Sequence, residues 1–178
     1  ASGCGIRLHQ TAQVNANAAT ADNCCKTVDL TLGAVYVSRS SQLEFRSGSC
    51  INSGSNGMLI RRSIVTARSV TATGAAITGL HAESGSLVDA TELTATGCGT
   101  NGLQVGFSST VSAHTATLTG NTANDVQLQA DARIGINDLT TTTIGAATAS
   151  GVEADYGGIS YFNVQTGDGV VVSENAPA

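Results

Sequence analysis

The sequence contains no tryptophan, one proline, and only three phenylalanines and three tyrosines among 178 residues. A core built almost without aromatic rings must be filled by Ala, Val, Leu and Ile, side chains suited to a regular lattice. Charged residues make up only 12% against 41% hydrophobic, which excludes an intrinsically disordered chain. No apolar run reaches the ~18–20 residues of a membrane span. The five cysteines (Cys4, Cys24, Cys25, Cys50, Cys98) show no CxxC spacing and no neighbouring His pair, which argues against zinc. They read as free thiols of a chain folded in a reducing cytoplasm. Polyacid calcium runs and glycine-rich phosphate loops are missing too, so no metal and no cofactor are expected. The chain opens Ala-Ser-Gly-Cys-Gly, with neither Met nor a signal-peptide pattern, and is expected to be a piece of something longer.

Basic residues run short in the second half. Up to Arg68 there are seven bases against three acids; beyond it there is one base, Arg133, against ten acids. In an elongated molecule this becomes a polarity along the axis. The acidic half does not suit nucleic acid, which needs clustered Lys and Arg.

What the sequence has in abundance is repetition. Val70-Thr71-Ala72-Thr73-Gly74, Leu93-Thr94-Ala95-Thr96-Gly97, Ala116-Thr117-Leu118-Thr119-Gly120 and Leu139-Thr140-Thr141-Thr142-Thr143 each begin 23 residues after the one before. The same step carries Val65 to Val88, Val111 and Ile134, and Leu80 to Leu103 and Val126. A fixed period in this range marks a solenoid or propeller. Three short alternating segments fill the clearest repeat: Leu87–Ala90, Leu93–Thr96 and Gly102–Val105. Alternation turns Val88, Ala90, Leu93, Ala95, Leu103 and Val105 inward, and Asp89, Thr94, Thr96 and Gln104 outward. A propeller blade needs about 40 residues, and no helical period is present, so the spacing predicts an all-β parallel β-helix with three short strands per turn.

One β-helical domain over 1–178 is expected. Residues 1–56 form irregular early coils, 57–144 regular coils, and 145–178 drifting terminal coils and a tail. Ile6–Leu8 and Val28–Leu32 read as early strands separated by a polar Ala/Asn stretch, with Val28, Leu30 and Leu32 sharing a face. Later strands are expected in 151–155, 159–164 and 170–173.

Several side-chain patterns carry candidate chemistry. The ladder of Thr71, Thr73, Thr94, Thr96, Thr117 and Thr119 is what an ice-binding or adhesin surface uses; equally, threonine suits the outer face of a parallel strand. Arg61 and Arg62, with Arg68 nearby, could hold an anionic sugar. A glycosidase needs two carboxylates about 5–10 Å apart; the candidates are Glu92 with Asp89, or Glu92 with Asp138 two turns away. His81 and His114 belong to different faces and do not make one site.

The phrases Gly102-Leu103-Gln104-Val105, Thr119-Gly120-Asn121-Thr122-Ala123-Asn124-Asp125-Val126-Gln127-Leu128 and Ala132-Arg133-Ile134-Gly135 resemble the repeats of bacteriophage tailspikes and tail fibres, over about residues 57–140. That resemblance implies a right-handed, pectate-lyase-like β-helix. It also implies a homotrimer on the virion tail, folded in the bacterial cytoplasm, that binds and often cleaves host surface polysaccharide. The expected function is a rigid shaft or receptor-facing domain; a polysaccharide hydrolase or lyase of the same fold is the alternative. No family motif matches residue by residue, so no catalytic residue carries over.

Overall fold

The computed structural model describes residues 3–129 and 132–137, together with the strands Val152–Asp155, Tyr161–Asn163 and Val172–Glu174. Every regular element among the described residues is a β-strand, and none of them forms a helix long and apolar enough to cross a membrane. The strands pair in parallel and fall into sheets of eight, seven and five strands, each taking every third strand of the regular region. The chain is therefore a β-solenoid with three strands per turn.

The columns read from the sequence are the observed registers. Val65, Val88, Val111 and Ile134 stack in the second sheet, Ala72, Ala95 and Leu118 in the third, and Leu80, Leu103 and Val126 in the first. Each turn advances by one strand spacing, about 4.8 Å. Inward residues are sealed: Val88, Ala90, Leu93, Ala95, Leu103 and Val105 are all at most 1% exposed. Among the described residues Phe45 is the one aromatic ring in this core, packed against the backbone of Gly48.

The first turn departs from the period. Val14 pairs with Leu43 and Ala21 with Cys50, steps of 29 residues, whereas Ala72 to Ala95 is 23. The surplus leaves the coil as a loop after Cys25, which corrects the expected strand over Val28–Leu32. Val28 and Leu30 are 73% and 68% exposed. Asp29 bends the chain there: its carboxylate accepts from the Thr31 amide and hydroxyl, and its carbonyl accepts from the Leu32 amide. Ser55 and Asn56 of the next turn clamp the carbonyls of Asp29 and Leu32. The polar stretch expected to separate strands instead contains two, Gln13–Asn15 and Thr20–Asp22. They need little apolar content because the following turn supplies their hydrogen-bond partners.

Corners between sheets are made by left-handed residues, single or in adjacent pairs such as Arg39 and Ser40, stacked turn on turn. Ala18, Ser47, Ser69, Glu92 and Thr115 form one such column, all with φ between 50° and 60° or within a few degrees of it. A non-glycine residue there costs about 1 kcal/mol or more; inter-turn bonds such as Ser69 N–H to Thr91 O and Glu92 N–H to His114 O offset it. Where the long sheet begins, glycine is required for a different reason. A Cβ on Gly79 would sit 2.6 Å from the Gly102 carbonyl oxygen, and one on Gly102 2.8 Å from that of Asp125.

Candidate functional site

The threonine ladder lies on the outer face of the five-stranded sheet. Thr71, Thr94 and Thr117 stand in one rank and Thr73, Thr96 and Thr119 in the other, all half-buried, on the five-stranded sheet. Register extends the first rank downward through Ser49 to Thr20, whose hydroxyls bond at 3.0 Å. Thr96 donates to Thr73 at 3.4 Å, so the hydroxyls also serve one another. The matching residues near 140 lie outside the described residues.

The carboxylate candidates are engaged locally. Asp89, outward on the second sheet, is buried enough to raise its pKa, but the Thr91 hydroxyl and the Arg68 guanidinium outweigh burial and hold it below the usual carboxylate range. Glu92 occupies the left-handed corner column and accepts from the Ser69 hydroxyl of the preceding turn. Asp138, the proposed partner two turns away, lies outside the described residues. Asp89 is thus suited to act as a carboxylate, and neither neighbour makes it a proton donor.

Arg61 and Arg62 lead to a different place. They line an open depression of about 410 Å³ on the outer face of the long sheet, with Arg7, His9, Tyr36 and Arg39 around it. The elements explain the gathering. Arg7 and Tyr36 are register neighbours in the strands Ile6–Leu8 and Gly33–Ser38, and the Arg7 guanidinium lies 5.5 Å from the Tyr36 ring centre. Arg39 and Arg62 sit in the corner column that follows this sheet, with φ of 57° and 49°. Arg61 ends its strand and pairs with Glu83, its register neighbour in the next turn. Arg7, Arg39 and Arg62 form no ion pair among the described residues, so four guanidiniums face a single carboxylate.

Beside the depression His81 is mostly buried between Arg61 and Glu83. Burial lowers its pKa; Glu83 pulls it back up and Arg61 adds to the lowering, with a net depression. Its Nε2 lies 3.5 Å from Glu83 Oε2 without the geometry of a hydrogen bond. His9 has a polar partner, its Nδ1 lying 2.8 Å from the Ser38 hydroxyl. His114 lies on another face, at the end of the second sheet, as expected. Among the described residues no group of three or more His, Cys, Asp or Glu side chains is placed to hold a metal ion.

Sequence reasoning found Arg61 and Arg62 but not Arg7, Tyr36 or Arg39. The Arg39-to-Arg62 spacing is one 23-residue step, a signal that was legible. Arg7 and Tyr36 were hidden by the longer first turn, which breaks the period between them. No family model, no curated protein and no solved structure matches the chain.

Proposed function

We propose that the chain is a rigid shaft or receptor-facing segment of a phage tailspike or tail fibre, which attaches the virion to host surface polysaccharide. In this reading the basic depression takes an acidic sugar unit. The observation that carries it is the set of four arginines around one open hollow whose lining includes one carboxylate, Glu83. Guanidinium groups bind carboxylates in forked pairs, and a shallow open site admits a long polymer where a closed pocket would not. Tyr36 offers one aromatic face for a sugar ring, although Arg7 covers part of it. Self-association belongs to the same proposal. Ile64 and Leu87, register neighbours on the second sheet, each leave about half of their surface in solvent, an apolar patch that a second copy would cover.

Binding to an immobilised polyuronate, with neutral dextran as control, tests the reading. Arg39→Ala with Arg62→Ala is expected to weaken polyuronate binding at least tenfold, and added salt to weaken it further. Equal binding of the two polymers, or an unchanged double variant, would sink it. Sedimentation tests the trimer, with Ile64→Ser and Leu87→Ser shifting the mass toward the monomer.

A second reading rests on the threonine wall. Hydroxyls in two ranks on a parallel sheet, with strands about 4.8 Å apart, form a regular array that an ice lattice could match. Thermal hysteresis in the intact chain, abolished by Thr94→Val with Thr117→Val, would favour it.

A further inference from the structure

We infer that Cys4 and Cys25 are a redox modification site, joined as a disulfide by exchange with a low-molecular-weight disulfide. Their sulfurs are 4.0 Å apart, and a backbone hydrogen bond joins the two segments that carry them. The Cys25 amide donates to the Gly3 carbonyl at 3.2 Å, and the Gly5 amide to the Ala34 carbonyl at 2.8 Å. A disulfide needs its sulfurs at about 2.05 Å, so closure requires an approach of about 2 Å.

The two thiols differ in accessibility, and that sets the order of the exchange. Cys4 is half-buried, so a small disulfide can reach its sulfur. Cys25 is fully buried, donates its S–H to the Gly33 carbonyl at 3.2 Å, and its thiol is pushed up to about 12, chiefly by burial. Cys4 therefore reacts first. Its thiolate attacks one sulfur of RS–SR, forming a mixed disulfide and releasing RS⁻, which takes up a proton. Cys25 then attacks the Cys4 sulfur, its proton passing to the departing RS⁻, which leaves as the second RSH. Two protein S–H bonds are lost and one S–S bond forms, while the small disulfide is reduced to two thiols. The other cysteines are placed differently: Cys24 donates to the Asp22 carbonyl, Cys50 is sealed in the core, and Cys98 lies between the Ala72 and Thr96 carbonyls. The bond would tie the start of the first strand to the base of the exposed loop that follows Cys25, where the 29-residue first turn is least held by the repeat. The inference is independent of what the molecule attaches to.

The test takes the full chain, purified reduced, and incubates it with oxidised glutathione before alkylation and mass spectrometry. The expected product has lost two hydrogens, carries no glutathione, and yields a peptide linking Cys4 to Cys25. Its thermal midpoint rises by about 5–10 °C and returns on reduction with dithiothreitol. Cys4→Ser abolishes both changes without touching the core, and Cys24→Ser leaves them in place. A stable glutathione adduct on Cys4, a Cys24–Cys50 linkage, or an unchanged midpoint overturns the inference.

Discussion

At the scale of the residue, His81 and Asp125 show how burial in a polar lattice couples stability to pH. The folded state holds His81 neutral, with its pKa depressed below the ordinary 6.5 by burial against the opposing pull of Glu83. Unfolded chains take up that proton near pH 6.5 and the folded one resists, so stability falls as pH drops through this window. Thermal melts between pH 7.5 and 5 should show the slope, and His81→Gln should flatten it; glutamine is the native residue at the next two places in this column, Gln104 and Gln127. Asp125 behaves in the opposite sense. Burial raises its pKa despite the hydrogen bond from Asn121, so the folded state favours the proton and loses stability as pH rises through the raised value. Asp125→Asn is expected to raise the midpoint at pH 7, with the gain vanishing below the ordinary pKa of 3.8. A midpoint unchanged at pH 7 would show that Asn121 compensates burial fully. Phe45, a fully buried ring, supports a simpler expectation: Phe45→Ala should cost about 3–5 kcal/mol in denaturant titration.

Elements here are too short to stand alone, most being three residues long, so each is defined by the strands above and below it. Asn101 illustrates this. Its amide donates to Gln104 and Gln127 and its carbonyl oxygen accepts from Asn124, joining two turns at the entry to the long sheet. Asn101→Ala should destabilise by about 1–3 kcal/mol, measured by denaturant titration. The threonine wall gives the contrast. Thr94→Val keeps the β-branched shape, and if the ladder is only the side of the rod the stability should move by less than about 0.5 kcal/mol. Alternation and period made these elements legible in advance, since inward and outward positions in a three-residue strand follow from pleat geometry alone. The loop after Cys25 was not legible. Val28, Leu30 and Leu32 alternate like a strand, but Asp29 and Thr31 make a turn, and the clamp that holds it comes from Ser55 and Asn56 in another turn.

At the scale of the whole molecule, stacking converts a one-dimensional repeat into surfaces. Each residue meets its counterparts one period away, so rows of like residues become faces: hydroxyls on the five-stranded sheet, arginines at the corner after the long sheet. The basic depression exists only at this scale. Arg7, Arg39 and Arg62 come from three successive turns and are at least 23 residues apart in sequence, with Tyr36 in the same turn as Arg39. The carboxylates Asp89 and Glu92 are likewise met across turns, Asp89 by Arg68 and Glu92 by Ser69 of the preceding turn.

The sequence by itself determined the coil: its period, its three strands per turn, its inward columns and its threonine ranks. Those features depend on local alternation and a constant step, and both can be counted along the chain. Only the tertiary structure decided where the step fails and what the failure brings together. The 29-residue first turn puts Arg7 in register with Tyr36, and the ordinary step before its loop sets Cys4 beside Cys25. A hydrogen-bonded lattice tolerates one longer turn if its ends return in register, and the register is a property of the neighbouring turns.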